Sequence, residues 1–244
     1  MTMLYVVGIG PGGPAYITKE ADDALWESDL IVGYTAYVDL IKPYYPQKEY
    51  FYTPMRQEKE RCEKALQESQ KGQCVALICS GDSAVYGMAA LVYELANKYS
   101  FPQGQIEVIA GVTAALSGGA VLGAPLTNDF ITISLSDLLT PWEKIEKRIL
   151  AAAASDTVIC LYNPGSHKRK ECLKKACELV LSYQPETTVC GYVRNIGREG
   201  QTYGIMSLKE LKDFEADMLT MVFIGNSETI HLDGKMITKR GYHV

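Results

Sequence analysis

The stretch Met3-Leu4-Tyr5-Val6-Val7-Gly8-Ile9-Gly10-Pro11-Gly12-Gly13 decides how the rest of the chain is read. Residues 3–7 are an apolar, β-rich run, and Gly8, Gly10 and Gly13 stand at the G-x-G-x-x-G spacing of dinucleotide-binding turns. The physics of that turn fails at three points. Pro11 removes a backbone N–H where such groups should face a phosphate. The next helical pattern begins near Thr18, too far on for its N-terminus to hold a pyrophosphate at the glycines. The following strand, 29–33, ends in Gly33-Tyr34 with no acid placed for a ribose hydroxyl. The dinucleotide reading is set aside. What remains is a strand leading into a glycine loop whose backbone something can approach closely.

Working outward, short apolar runs alternate with helical patterns. Strands are predicted at 4–8, 29–33, 74–79 and 106–109, and helices at 18–27, 58–70, 85–98 and 113–122. Thr18 is a credible N-cap, and Gly72 sits where a helix should stop. This alternation reads as an α/β layer with a largely parallel sheet. The second half changes character. Residues 130–135 alternate apolar with Thr and Ser, and Thr140-Pro141 reads as an N-cap with proline at the first helical position. A buried-type strand at 157–162, a helix at 169–181 and strands at 187–193, 201–205 and 219–224 follow. A hairpin between the second and third of those strands would make this half a mixed sheet. The expected fold class is α/β with two lobes: a mostly parallel sheet at 1–118, a mixed sheet at 119–244, and the active site in the cleft between them.

The 244 residues suit one large domain or two small ones. A net charge of −5 argues against general nucleic-acid or anionic-membrane binding. Seven cysteines, an odd number with no C-x-x-C pair, fit reduced thiols better than a disulfide framework or a metal site. No apolar run has membrane-spanning length and the N-terminus reads directly as a strand, so a cytoplasmic protein is expected.

In open α/β sheets, ligands bind beyond the carboxyl ends of the strands. Six predicted strands end in loops of small, hydrogen-bonding residues: Gly8-Ile9-Gly10-Pro11-Gly12, Ser80-Gly81-Asp82-Ser83, Ala110-Gly111-Val112-Thr113-Ala114, Asn163-Pro164-Gly165-Ser166, Arg194-Asn195-Ile196-Gly197-Arg198 and Gly225-Asn226-Ser227. Turn chemistry explains any one of them. Six after six apolar strands point to a site.

At these residues the chain resembles the tetrapyrrole (corrin/porphyrin-type) methyltransferases. The resemblance lies in Gly8-x-Gly10-Pro11-Gly12, Gly81-Asp82-Ser83, Gly111-Val112-Thr113-Ala114 and Leu161-Tyr162-Asn163-Pro164. Leu122-Gly123-Ala124-Pro125-Leu126, the block from Ile133 to Trp142 and Ile224-Gly225-Asn226-Ser227 resemble the precorrin-3B C17-methyltransferase and cobalt-factor III branch. The resemblance implies an S-adenosyl-L-methionine-dependent C-methyltransferase of cobalamin biosynthesis. It would act at C17 with ring contraction, release S-adenosyl-L-homocysteine and work as a homodimer. One departure stands out: the family usually has His before Asp-Phe, and this chain has Asn128 before Asp129-Phe130. Asn keeps a hydrogen-bonding tip without a titratable charge. It puts any proton transfer by that His in doubt and leaves a loop-shaping hydrogen bond as the alternative.

By resemblance, Pro11, Gly81, Asp82, Ser83, Tyr86, Thr113, Ala114, Tyr162, Asn163 and Ile196 would contact the methyl donor. Asp82 has a second use, capping a helix at Val85, and the two are compatible. A macrocycle fringed with acetate and propionate groups calls for cations and polar tips. The candidates are Arg56, Asn128, Arg194 and Arg198, with His167-Lys168-Arg169 as a weaker cluster that also suits a solvated helix start. Acid–base work in ring contraction falls to Asp129, Ser136, Asp137 or Tyr86, among which the sequence does not choose. Cys79, on an apolar strand, reads as an inert core residue. Two other readings stay open at this stage. One is a methyltransferase with a different acceptor, either another tetrapyrrole or a protein residue as in diphthine synthesis. The other is a non-catalytic tetrapyrrole or nucleotide carrier.

Overall fold

The computed structural model describes residues 2–165 and 171–242. The chain divides into two compact units, Met1–Ala114 and Ala115–Val244. The first contains β1 (Leu4–Gly8), α1 (Lys19–Glu27), β2 (Leu30–Tyr34), α2 (Thr35–Ile41), β3 (Glu49–Thr53), α3 (Glu58–Gln70), β4 (Val75–Cys79), α4 (Ala89–Lys98) and β5 (Ile106–Ile109). Its strands lie in the order β3-β2-β4-β1-β5, every pair parallel. β1 and β4 are buried along their whole length, as strands covered on both faces must be. Alternate residues feed two cores. Leu4, Val6, Val75 and Leu77 pack against Cys62 and Leu66 of α3 and Val92 and Leu95 of α4. Tyr5, Val7, Ala76 and Ile78 pack against Ala24 and Leu25 of α1 and Val38 and Ile41 of α2.

The chain crosses from β1 towards β2 in one direction and from β4 to β5 in the other, so the winding reverses between the neighbours β1 and β4. That gap between diverging connections is where doubly wound sheets hold ligands. Thr18 caps α1 as expected, its side chain accepting from the Ala21 N–H at 3.2 Å. Two elements escape the sequence reading. β3 is an edge strand with only Thr53 buried, so it has no clean apolar pattern, and α2 follows β2 without an intervening loop. The helix expected from residue 85 begins at Ala89. Tyr86 adopts a left-handed φ of 56°, which ends any helical run through it.

The second unit contains α5 (Ala114–Leu122, opening at the division), β6 (Gly123–Ala124), β7 (Phe130–Ser134), α6 (Trp142–Ala154), β8 (Val158–Tyr162), α7 (Cys172–Val180), β9 (Val189–Arg194), β10 (Thr202–Ser207), α8 (Leu208–Lys212), β11 (Thr220–Ile224), β12 (Thr229–Leu232) and β13 (Lys235–Thr238). Its main sheet, β10-β9-β11-β8-β7, is mixed: β7 and β8 are parallel, whereas β11 is antiparallel to both β8 and β9. Ile159, Leu161, Val222 and Ile224 form a core with α6, α7 and α8. On the other face the Phe223 ring lies 3.0 Å from where a side chain on Gly118 would begin, so α5 packs there. A small sheet, β12-β13-β6, completes the unit.

Three expectations are corrected. The hairpin joins β9 to β10, the first and second of the three strands, because Gly197 and Gly200 take left-handed turns there. β10 and β11 do not pair but flank β9. Thr140 is not the cap of α6: Pro141 occupies the cap position, its carbonyl accepting from the Lys144 N–H at 3.0 Å. The helix expected from residue 169 begins, among the described residues, at Cys172.

All seven cysteines are free and six are buried, Cys74 being the partly exposed one. Burial pushes the thiols of Cys62, Cys160 and Cys177 up to about 12 and that of Cys79 to about 11, from an ordinary 9.0. Cys79 is therefore the inert core thiol that its apolar strand implies. These groups keep their protons in the folded state over a range where the unfolded chain loses them. Their contribution to stability is present below pH 9 and is lost as pH rises through about 11–12. Urea midpoints should thus be flat in this respect from pH 7 to 8.5 and fall above it. A thiol reagent at pH 8 should modify Cys74 fastest, with the buried thiols reacting only on unfolding. Rapid labelling of Cys79 in the native protein would contradict this account.

Candidate functional site

Three glycine loops meet at the carboxyl edge of the first sheet. Beyond β1 and β4, the Gly10 N–H donates to the Gly81 carbonyl at 3.0 Å and the Gly81 N–H to the Gly10 carbonyl at 2.7 Å. This bridge sits at the reversal of the winding. A side chain on Gly111 would lie 2.2 Å from the Gly81 carbonyl oxygen, and one on Gly8 would lie 2.6 Å from the Gly111 nitrogen. The three backbones are in direct contact, with no room for a Cβ. Gly8 and Gly10 of the G-x-G-x-x-G match thus pack against two other loops, whereas Gly13 faces open space. A 3-10 turn, Pro14–Tyr16, separates them from α1, which begins only at Lys19.

Asp82 ties the loops together. Its Oδ1 accepts from the backbone N–H groups of Ala84 at 2.8 Å and Val85 at 2.9 Å, and its Oδ2 accepts from the Gly111 N–H at 3.0 Å. It caps the turn after β4 and not a helix at Val85, since the helix starts later. A carboxylate offers about four acceptor sites. Three are used, which leaves the half-buried Asp82 able to take one further donor through Oδ2. Ser83 is fully buried and donates to the Ile109 carbonyl at 2.9 Å, so its hydroxyl braces the loop after β5 from within. Thr113 and Ala114 lie next to Gly81: their backbone atoms are 3.8 Å from where its Cβ would be. The structure thus brings together the loops carrying Pro11, Gly81, Asp82, Ser83, Thr113 and Ala114, with Tyr86 on the same turn as Asp82. Tyr86 is exposed and left-handed, a costly backbone state for an aromatic residue and one that concentrates at functional sites.

In the second unit the carboxyl ends of β7 and β8 lie side by side, Ser134 in register with Tyr162. The Leu135 N–H extends the ladder to the Tyr162 carbonyl at 2.9 Å. The Tyr162 hydroxyl accepts from the Ala115 N–H at 3.0 Å, satisfying a donor in the first turn of α5. Asn163, left-handed at φ 54°, donates through Nδ2 to Ser134 Oγ at 3.0 Å, and the Ser136 N–H reaches the same oxygen at 3.3 Å. β9 runs parallel to β8, both being antiparallel to β11, so Arg194, Asn195 and Ile196 reach this edge too. Ile196 is buried, its Cδ1 3.2 Å from the place of a Gly118 Cβ.

The sixth loop does not join the others. β11 is antiparallel to β8, and Gly225-Asn226-Ser227 therefore emerges at the opposite edge. There the Asn226 Nδ2 donates to the Asp156 carbonyl at 3.0 Å and the Ser227 N–H to the Asp156 carboxylate at 2.9 Å. This loop has a structural task. Asn128 and Asp129 lie at that same amino end of β7, where the Asp129 carbonyl accepts from the Val158 N–H. Five residue steps along the strand, about 16 Å, separate Asp129 from Ser134. The structure does not bring Asp129 to the edge that carries Ser136 and Asp137. Asn128 donates to the Lys239 carbonyl at 3.3 Å, the loop-shaping use of that side chain.

The cations divide as well. Arg194 is engaged within the unit: Nε lies 3.2 Å from the Asp217 carboxylate, Nη2 donates to the Glu215 carbonyl at 2.9 Å, and the guanidinium stacks 5.9 Å from the Phe214 ring centre. It pins the turn before β11 and is a poor candidate for a ligand carboxylate. Arg56, exposed and left-handed at φ 70°, follows β3 at the carboxyl edge of the first sheet. Arg198 lies in the β9–β10 turn, its N–H bonded to the Asn195 carbonyl at 2.9 Å. His167, Lys168 and Arg169 lie outside the described residues. Ser134, which from the sequence reads as a strand residue facing solvent, joins Asn163 and Ser136 at the edge where β7 and β8 end. Its signal was a polar residue at the carboxyl end of a strand, next to a strand that ends in Asn.

A family model described as tetrapyrrole (corrin/porphyrin) methylases matches residues 3–212. The chain is 45% identical over 241 residues to a probable cobalt-factor III C(17)-methyltransferase of Salmonella typhimurium, covering 98% of this chain and 99% of that one. It is 38% identical over 236 residues to a precorrin-3B C(17)-methyltransferase of a Sinorhizobium species, covering 95% and 92%. The crystal structure of the methyltransferase CobJ aligns with a TM-score of 0.90 at 32% identity, covering 98% of this chain and all of that one.

Asp82→Ala leaves three backbone donors without their acceptor. It should lower unfolding free energy by about 1–3 kcal/mol in urea titrations. Gly111→Ala should be worse, because its Cβ meets backbone and not a flexible side-chain end. A Gly111→Ala protein as stable as the parent would refute the interlocked-loop reading.

Proposed function

The chain belongs to the tetrapyrrole (corrin/porphyrin) methylases, and we propose that it transfers a methyl group from S-adenosyl-L-methionine to C17 of cobalt-factor III or precorrin-3B in cobalamin biosynthesis, with contraction of the macrocycle. The observation that carries this is the end-to-end likeness, at 45% identity, to the Salmonella cobalt-factor III protein. The cobalt-loaded macrocycle is the first candidate, because identity to the precorrin-3B relative is lower, at 38%. Cobalt would arrive as part of the substrate.

When bound, the donor supplies a methyl already activated on a positively charged sulfur. The protein's tasks are therefore alignment and exclusion of water. The first unit's loops fit a polar cofactor held by backbone: three glycine backbones in contact and one free acceptor site on Asp82. Pro11, Gly81, Asp82, Thr113 and Ala114 are the proposed donor contacts there, and Tyr162, Asn163 and Ile196 those of the second unit. Ser83 acts behind them as a brace. Arg56 and Arg198 are the proposed partners of substrate carboxylates. Ser136, Asp137 and Tyr86 are the proposed groups for proton movement, in preference to Asp129. Among the described residues no helix is long and apolar enough to cross a membrane. A cytoplasmic homodimer is proposed on the family likeness.

The test is incubation of the purified protein with methyl-labelled donor and, separately, cobalt-factor III and metal-free precorrin-3B. Product mass and carbon labelling are the readouts. One labelled methyl at C17 of a contracted ring is expected, faster with the cobalt-loaded substrate. Transfer to neither macrocycle, or at a carbon other than C17, would overturn the assignment.

A further inference from the structure

Ser134 closes β7 in a hydrogen-bonding position that determines where its proton can go. A hydroxyl oxygen has two acceptor lone pairs and one proton to donate. Both acceptor positions of Ser134 Oγ are taken by N–H groups, Asn163 Nδ2 at 3.0 Å and the Ser136 backbone at 3.3 Å. Neither neighbour can receive the proton. Ser134 is half-buried, with no hydrogen-bond acceptor for that proton among the described residues. The arrangement is rigid. β7 and β8 are in register up to Ser134 and Tyr162, the Leu135 N–H continues the ladder, and Asn163 is set by a left-handed backbone. The hydroxyl is thus pre-oriented as a donor directed away from its own loops, at the edge where β7, β8 and β9 end.

We propose that Ser134 is a ligand-contact residue whose Oγ–H donates to a carboxylate oxygen of a bound substrate. The proposal rests on the methyltransferase reading, which supplies two such carboxylates: the amino-acid carboxylate of the methyl donor and the acetate and propionate groups of the macrocycle. A carboxylate accepts without donating and matches a hydroxyl that can only donate. Because the hydroxyl is held by two bonds before the ligand arrives, little side-chain freedom is lost on binding.

The experiment compares wild type, Ser134→Ala and Ser134→Thr. It measures S-adenosyl-L-homocysteine and 5′-methylthioadenosine binding by calorimetry, and KM and kcat for cobalt-factor III. Threonine keeps the hydroxyl and suits a strand, so Ser134→Thr should retain most binding. In Ser134→Ala a loss of about tenfold is expected, typical of a hydrogen bond to a charged group. If the partner is the donor's carboxylate, the loss appears with S-adenosyl-L-homocysteine and not with 5′-methylthioadenosine, which lacks that group. If it is the macrocycle's, donor affinity holds and KM for cobalt-factor III rises. A lower unfolding midpoint with every affinity and KM unchanged would reduce Ser134 to a structural tie and overturn the proposal. A wild-type protein that neither binds donor analogue nor converts the macrocycle would instead sink the functional reading, and the proposal with it.

Discussion

The close backbone contact of Gly8, Gly81 and Gly111 is the constraint on which the first unit's architecture turns. Three parallel strands end at the same edge, and their loops must turn there without side chains to separate them. The Gly111 position lies 2.2 Å, at Cβ distance, from the Gly81 carbonyl oxygen. Backbones that close leave polar groups in need of partners. The Gly10–Gly81 bridge supplies two, and the Asp82 carboxylate satisfies three more donors at once. Ser83 then fastens the inner side to the end of β5. The result is a polar ledge at the reversal of a doubly wound sheet, held by its own hydrogen bonds. Methyl transfer from an activated donor asks mainly for such preorganisation.

The second unit reaches a comparable edge by different means. Its sheet is mixed, so the carboxyl ends of its strands do not all point one way. β7, β8 and β9 end together, and β11 ends at the far side. Polar residues after β7 and β8 bond to each other through Ser134, Ser136 and Asn163. Those after β11 bond to Asp156 and hold the opposite edge in place. Loops with similar composition thus perform unlike work, because strand direction separates them. Arg194 shows the same division within one loop: it stands at the edge where β7, β8 and β9 end but is held by Asp217 and Glu215.

Local patterns carried much of this in advance. The apolar runs of β1, β4 and β8 are buried on both faces and announce themselves without partners. Thr18 needs only the next turn of its own helix to act as a cap. The alternation of strand and helix specified an α/β fold with a parallel first half, since period and punctuation are local properties of a chain. The failure of the dinucleotide pattern was legible too, in Pro11 and in the late start of α1. In the first unit the elements that escaped, β3 and α2, are those whose apolar signal is diluted by an exposed edge or a missing loop, and in the second the short α8, β6, β12 and β13 escaped as well.

Roles that depend on partners distant in sequence could not be read this way. Asp82 is tied to Gly111, Arg194 to Asp217, Asn128 to Lys239 and Asn163 to Ser134, across separations of 23 to 111 positions. Strand direction is likewise a property of pairing: nothing local to β11 states that it runs against β8. Composition and spacing therefore announced which residue types would gather at strand ends and what chemistry those types favour. Three-dimensional pairing settled which of them share an edge and which are already taken by a neighbour. A hydrogen bond is satisfied only where donor and acceptor meet in space, whatever their order along the chain.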